Sequence, residues 1–162
     1  MINFKKENII KKISKYLSED NWVYEVEGNC ITTDVRINKS YPKVKLLLAV
    51  KDNGYDLFVS SETVLKSKDI PAVMEFITRV NNSFTQGFFQ LDIDNGTYGF
   101  KSFSNFREAE ISKQTFILSV YLPIIFFSQY NTWINKIISG ELSSAEAAKK
   151  AAEKSMSMLE KK

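Results

Sequence analysis

The stretch from residue 70 to residue 103 constrains the fold most strongly, because a helical pattern and a hairpin pattern follow one another there. Apolar residues recur at the three- and four-residue spacing of one helix face: Ile70, Val73, Met74, Ile77, Val80 and Phe84. Pro71 suits the first turn, since its missing N–H would have no helical partner at that position. The sequence therefore predicts an amphipathic helix that ends before Gly87.

Two short alternating runs follow Gly87. The apolar residues Phe89, Leu91 and Ile93 alternate with Phe88, Gln90 and Asp92, which is the period-two pattern of a half-buried strand. Asn95-Gly96 offers the two positive-φ positions of a tight turn, so the run from Thr97 to Phe103 is predicted to return antiparallel to the first. We therefore expect the helix to pack on a β-hairpin.

Four further strands are predicted ahead of this helix. Alternating or Val- and Leu-rich runs place them at residues 22–27, 30–37, 44–50 and 55–60, with turns at Gly28-Asn29 and Asp52-Asn53-Gly54. The run over residues 44–50 is predicted to be a central strand, covered on one side and partly on the other. Regular strand–helix–strand alternation is absent, so the pattern indicates the α+β class, with a mostly antiparallel sheet and helices packed on it.

Two long helices are predicted on either side of these strands. The first covers residues 5–17, where apolar residues form a stripe opposite several lysines. The second covers residues 112–138, as one helix or as two that meet at a kink near Pro123. Its apolar residues are too many for a narrow stripe, which favours contact with the sheet on one side and with a second copy of the protein on another.

The C-terminal segment shows a capping pattern and an alanine-rich pattern. Gly140 ends the preceding helix, and Ser143 and Glu146 form a capping box at the start of a helix predicted over about residues 144–159. Its small apolar side chains predict weak docking and make this helix the segment most expected to move. We assign residues 1–141 to one domain and residues 142–162 to an amphipathic helix, either part of that domain or a mobile appendage.

The composition and charge of the chain narrow the class of partner. Its 162 residues fit one domain, and 22 basic against 19 acidic residues give a formal charge of only +3. Such a balance predicts no attraction to nucleic acid or to an anionic membrane. The apolar run over residues 115–127 is shorter than a membrane span and contains a proline. With a single cysteine, Cys30, and no signal-peptide pattern, a cytoplasmic protein is expected.

The residues that usually carry chemistry are scarce. The chain has no histidine and one cysteine, which argues against catalytic residues, a metal site and a bound cofactor. Residues 92–96 resemble the start of a calcium loop, but Gly96 stands where a third oxygen ligand is required and no Glu follows at the twelfth position. These residues are therefore interpreted as a polar hairpin end.

The aromatic residues of the hairpin region admit three interpretations. They are Phe84, Phe88, Phe89, Tyr98, Phe100, Phe103 and Phe106. They can form a base-stacking platform, but only Lys101 and Arg107 are nearby to meet phosphates. Half of them fall on the predicted core face, so core packing is the favoured interpretation. For those that remain exposed, a protein-binding patch is preferred over nucleic acid.

Several short motifs resemble a known family. They are Asp69-Ile70-Pro71, Asn81-Asn82, Gly87-Phe88-Phe89-Gln90-Leu91-Asp92, Gly96, Ile138-Ser139-Gly140 and Ser143-Ser144-Ala145-Glu146-Ala147-Ala148. With this order of elements, the chain resembles the YbjN family from about Glu7 to about Glu153. The fold of that family is similar to that of the type III secretion chaperones. The resemblance implies a non-enzymatic, chaperone-like or regulatory protein, often dimeric, that binds a segment of another protein along its sheet or helix faces.

The resemblance implies a bacterial protein. The sequence predicts a cytoplasmic α+β binding module that recognises a protein partner by apolar contact or by pairing with an exposed sheet edge. A homodimer through the helix at residues 116–138 is expected. The candidate contact residues are Phe88, Phe103, Phe106, Tyr121 and Trp133. The alternative is a small-molecule-binding domain or an enzyme that uses carboxylates, such as those of Asp92 and Asp94, in a pocket.

Overall fold

The computed structural model describes residues 4–36, 39, 41–106 and 111–159. Within them lie four helices and six strands: α1 (Phe4–Glu19), β1 (Tyr24–Glu27), β2 (Cys30–Val35), β3 (Val44–Lys51), β4 (Gly54–Ser60), α2 (Ile70–Asn81), β5 (Phe88–Asp92), β6 (Thr97–Asn105), α3 (Lys113–Ile138) and α4 (Ser144–Leu159). The strands form one antiparallel sheet in the order β1-β2-β3-β4-β6-β5. This confirms the predicted α+β class.

Helix α2 begins where the sequence predicts, with Pro71 in its first turn. Its buried face differs from the predicted stripe, because Met74 is exposed and Phe76 is fully buried. The stripe that faces the core runs through Val73, Phe76 and Val80, spaced by three and four residues, and Met74 lies about 100° around the helix from Val73. The three- and four-residue spacing fits a helix face that contains Met74 as well as one that contains Phe76, and packing against the core selects the face with Phe76.

The β5–β6 connection is longer than the predicted two-residue turn. Asp92 pairs with Thr97, so residues 93–96 form the loop, and within it only Gly96 has a positive φ, of 66°. The Asp92 carboxylate accepts hydrogen bonds from the backbone N–H groups of Asp94 and Asn95 at 3.1 and 3.0 Å, which stabilises the longer loop. The prediction that Asn95-Gly96 forms both central positions of a tight turn was therefore wrong.

Helix α3 is a single helix, and Pro123 lies buried within it. The side-chain oxygen of Ser112 caps its start by accepting from the N–H of Thr115 at 3.1 Å. One face of α3 packs on β4 and β6. Phe116, Val120, Ile124, Phe127, Ile134 and Ile137 supply the buried apolar side chains of that face. The core thus lies between α3 and one face of the sheet.

The two faces of the sheet differ sharply in burial. On β3, Val44, Leu46, Leu48 and Val50 are buried, whereas Lys45 and Leu47 between them are exposed. The same alternation on β2, β4 and β6 gives one covered face, and the face that carries Lys45 and Leu47 is called the open face below. Strand β3 was predicted to be partly covered on its second side. On that side Ala49 is half-buried, whereas Lys45 and Leu47 are exposed.

Helix α4 docks on α2 and α3 through small residues. Ala147 and Ala151 are buried, and the hydroxyl of Ser144 donates to the carbonyl of Ala72 at 2.7 Å. The predicted capping box is confirmed: the Glu146 carboxylate accepts from the N–H of Ser143 at 2.9 Å, and the Ser143 hydroxyl accepts from the N–H of Glu146 at 3.3 Å. The predicted mobility of this helix stays a prediction.

None of the helices in the described part of the chain is long and apolar enough to cross a membrane. The predicted strand end at Ile37 and the basic residue Arg107 lie outside the described residues.

Candidate functional site

Strand register brings apolar side chains together on the open face. Leu47 pairs with Phe58, Phe58 pairs with Lys101, and Lys101 pairs with Phe88. Phe103 lies one row away and packs beside Phe88, with ring centroids 5.8 Å apart and ring planes inclined by 43°. Phe88 and Phe103 are 37% and 50% exposed. An apolar strip, defined as Leu47, Phe58, Phe88 and Phe103, therefore crosses the four strands β3, β4, β6 and β5.

Phe58 is held in place by a glycine on the neighbouring strand. A β-carbon built on Gly99 would lie 2.5 Å from the Phe58 ring, so the ring covers the position where another residue would carry a side chain. This contact makes Phe58 half-buried, although no described helix covers the open face. The ring is thereby fixed at the centre of the apolar strip.

Three charged side chains beside Phe58 and Phe103 lie close to one another. Asp56 lies 2.7 Å from the ammonium of Lys51 and 3.6 Å from that of Lys101, and the Lys101 ammonium lies 5.6 Å from the centre of the Phe103 ring. The Asp56 carboxylate offsets one of the two ammonium charges, and both lysines are partly exposed to solvent, so this group contributes little long-range field. What the strip offers a ligand is apolar area with a polar rim.

Two shallow cavities open on this side of the sheet. The larger, of about 600 Å³, is lined by Val23, Glu25, Thr32, Lys45, Leu47 and Phe58 among others. The smaller, of about 360 Å³, lies between the β3–β4 turn and Phe103. Both adjoin the apolar strip, so the strip is bordered by grooves on two sides.

The five candidate contact residues do not form one site. Phe88 and Phe103 lie together on the open face, and Phe106 is half-buried with its ring 5.6 Å from that of Tyr55. Tyr121 and Trp133 lie on α3, on the opposite side of the sheet. There Tyr121 is half-buried against Trp22, with ring centroids 5.6 Å apart.

Leu47 and Phe58 were missed as contact residues. Each stands in a continuous apolar run, Leu46-Leu47-Leu48 and Leu57-Phe58-Val59. Such a run has no alternation of apolar and polar residues to show which side chains face the core. The turn at Asp52-Asn53 is the sequence feature that indicates their position. It pairs Lys51 with Gly54, which fixes the register of β3 and β4 and places Leu47 opposite Phe58.

Asp92 and Asp94, the carboxylates proposed for a small-molecule or enzymatic pocket, lie at the β5–β6 loop, where Asp92 stabilises the loop. Besides its two backbone contacts, Asp92 accepts a hydrogen bond from the side-chain amide of Asn95 at 2.8 Å. These hydrogen bonds lower the pKa of the Asp92 carboxyl, and the one from the Asn95 side chain has the largest effect. Neither Asp92 nor Asp94 lines either cavity. In the described part of the chain, no group of three or more His, Cys, Asp or Glu side chains is placed to hold a metal ion.

Two buried tyrosines fix α3 to the sheet. The Tyr98 hydroxyl donates to the side-chain oxygen of Asn131 at 2.6 Å, and the Tyr55 hydroxyl is hydrogen-bonded to that of Ser119. Burial raises the pKa of both phenols, so both remain neutral hydrogen-bonding groups near neutral pH. These contacts join the core and are not exposed to a ligand.

The two outer strands of the sheet differ in how their edges are occupied. On β5, the side-chain amide of Asn81 donates to the carbonyl of Phe89 at 3.0 Å, and its oxygen accepts from the N–H of Phe89 at 2.7 Å. The amide thus takes one of the pairs of backbone groups that an added strand would use, while alternation directs the N–H and C=O of Leu91 to the same edge. Strand β1, at the other edge, is paired only with β2 among the described strands.

No protein-family model matches the chain, and a comparison with curated proteins finds no match. The resemblance to the YbjN family therefore stays a prediction.

The substitution Asn81→Ala tests whether this residue protects the β5 edge. We expect a loss of about 1–2 kcal/mol in the free energy of unfolding by urea, because the N–H and C=O of Phe89 lose their partner. We also expect association that increases with protein concentration, since the edge becomes free to pair. The matched control is Asn82→Ala, an exposed position next to it. Equal stability of the two variants, with no difference in light scattering, would contradict this role.

Proposed function

We propose that this protein is a non-enzymatic, chaperone-like or regulatory binding module whose open face recognises a segment of a partner protein. The observation that carries the proposal is the apolar strip, in which Phe88 and Phe103 are exposed side by side on a sheet face without a described covering element. Removing such apolar area from water is the favourable contribution on which most protein–protein association depends. The proposal includes a bacterial, cytoplasmic setting, in keeping with the resemblance to the YbjN family.

A polypeptide fits this surface better than a nucleic acid does. Of the lysines nearest the strip, Lys51 and Lys101 already lie close to Asp56, and Lys45 lies 3.3 Å from Glu62. A phosphate backbone would have to compete with these carboxylates. Apolar side chains of a partner protein can instead cover the Phe88 and Phe103 rings without disturbing the ion pairs.

A non-enzymatic role is supported by what the candidate catalytic groups do in the fold. The Asp92 carboxylate is hydrogen-bonded within its own loop, and the buried hydroxyls of Tyr55 and Tyr98 are directed to α3. Beside the cavities, Lys45 and Lys51 are ion-paired at the surface, whereas Glu25 makes no ion pair within the described part of the chain. The larger cavity has polar as well as apolar lining residues, but it is shallow and opens beside the apolar strip, so we favour protein binding over the small-molecule alternative.

The proposal also includes a homodimer through the outer face of α3. Leu118 and Leu122 are 51% and 46% exposed there, and no charged residue occurs between Lys113 and Lys136. A two-fold axis brings each group near its own copy, so a charged face would repel itself and an uncharged face does not. Because α3 and the open face lie on opposite sides of the sheet, dimer formation leaves the apolar strip free.

The function is tested by capture of a partner with matched variants. Tagged wild-type protein is incubated with lysate of the native organism, alongside an open-face variant, Phe88→Ser with Phe103→Ser, and an α3 variant, Leu118→Ser with Leu122→Ser. We expect the wild type and the α3 variant to retain the same protein partner. The open-face variant should retain at least about tenfold less, because both rings lose their apolar contact.

Thermal unfolding of all three proteins controls for folding, and both changed pairs are exposed, so near-native stability is expected. Equal retention of the partner by the open-face variant would contradict the proposal. Native mass spectrometry of the purified wild type provides the other decisive outcome, since a stoichiometric small molecule without a protein partner would favour the alternative.

The dimer is tested separately by light scattering during size-exclusion chromatography. The wild type is expected to show the mass of two chains at micromolar concentration, and the α3 variant that of one chain, because its apolar contact is reduced. The open-face variant is the control and should remain dimeric. A wild-type mass of one 18.6 kDa chain at high concentration would contradict the dimer and leave the binding function standing.

A further inference from the structure

Within the described part of the chain, strand β1 leaves backbone groups unpaired at the edge of the sheet. Glu27 and Cys30 flank the turn Gly28-Asn29 and form the last pair of the β1–β2 ladder, so they exchange the hydrogen bonds that close the hairpin. Alternation then directs the N–H and C=O of Val26 and Tyr24 away from β2. The N–H of Val50 donates to the carbonyl of Asn29 at 2.8 Å on the other side of β2, as this alternation requires.

Contacts to neighbouring elements hold β1 in position. The Thr33 hydroxyl donates to the carbonyl of Val23 at 2.7 Å, and the hydroxyls of Tyr24 and Ser18 lie 3.0 Å apart. The strand is therefore ordered before a partner arrives, which lowers the entropic cost of pairing with it. Val26 is 47% exposed, so an incoming strand also finds apolar area at this edge.

The open-face side of β1 is acidic. Glu25 and Glu27 are exposed and paired in register with Thr32 and Cys30, and neither makes an ion pair within the described part of the chain. Two lysines of the neighbouring strand β3 region are ion-paired with other carboxylates: Lys43 lies 2.7 Å from Asp34, and Lys45 lies 3.3 Å from Glu62. A strand added beside β1 would thus place its own open-face side chains next to two uncompensated carboxylates.

A second copy of this chain does not fit this edge. In an antiparallel pairing of β1 with its own copy that keeps both open faces on one side, Glu25 lies opposite Glu25 or Glu27 of the copy. Like charges directly opposite one another destabilise a sheet. A partner strand with basic side chains at those positions instead forms opposite-charge pairs. The larger cavity, lined by Val23, Tyr24 and Glu25, begins at this edge and connects it to the apolar strip.

We propose that β1 binds an extended segment of the partner protein as an added strand, and that this segment carries lysine or arginine at alternate positions on the open-face side. The inference rests on the proposed function and specifies the chemistry of the segment that is recognised. The β5 edge is not an equivalent site, because Asn81 occupies its backbone groups at Phe89.

Fluorescence anisotropy with two short synthetic peptides tests the inference. In the basic peptide, lysine alternates with valine or threonine, and in the acidic peptide glutamate replaces each lysine. We expect wild-type protein to bind the basic peptide about tenfold more tightly, the size expected for two opposite-charge cross-strand pairs. Glu25→Lys with Glu27→Lys should reverse this preference. Asp94→Lys with Glu153→Lys makes the same change in net charge at two remote exposed positions and should leave the preference unchanged.

Backbone pairing is tested with N-methylated forms of the basic peptide. Methyl groups on one alternating set of amides should abolish binding, and those on the other set should not, because only every second N–H of an added strand faces β1. Absence of binding by both peptides, or a preference that the charge reversal leaves unchanged, would overturn the inference. If the open-face variant still loses the lysate partner in that case, the assignment of β1 is wrong and the proposed function stands.

Discussion

The described helices bury one face of the six-stranded sheet, and the rest of the molecule follows from that one-sided cover. The buried side chains of β2, β3, β4 and β6 meet the apolar face of α3, and the Tyr98 hydroxyl is bonded to Asn131 across that boundary. Burial of this apolar area is the main stabilising contribution to the fold. Since the pleat directs every second side chain to the other face, a strand so buried must present its remaining residues to the open face.

That second set of residues is more apolar than solvation requires. An antiparallel sheet with one solvated face usually carries polar residues there, yet Leu47, Phe58, Phe88 and Phe103 lie in adjacent rows. The outer strands differ in a related way. Asn81 occupies the backbone of β5 at Phe89, whereas β1 is short and bears two glutamates. These features are the basis of the proposed contact with polypeptide.

Much of the fold was predictable from the sequence because its signals are local. The turns Gly28-Asn29 and Asp52-Asn53, the capping box at Ser143 and the glycine after α3 each act through neighbouring residues. The loop after Asp92 was mispredicted because a side-chain contact competes with the preferred turn of Asn95-Gly96.

The candidate site was less predictable because it depends on which side chains of a strand face solvent and on contacts that no sequence periodicity indicates. In a continuous apolar run, the sequence does not show that Leu47 faces solvent while Leu46 and Leu48 are buried. The hydrogen bonds of Asn81 to Phe89 likewise join residues that no periodicity connects. Phe88 and Phe103 were named from the sequence, and their adjacency depends on the register of β5 and β6.

Hydroxyl-radical footprinting read by mass spectrometry tests one-sided burial most directly, since labelling depends on the solvent exposure of each ring. With the purified protein, one-sided burial predicts strong labelling of Phe88 and Phe103 and weak labelling of Phe89 and Phe100, which lie on the covered face of the same two strands. Equal protection of all four rings would show that the second face is also covered and would contradict the account.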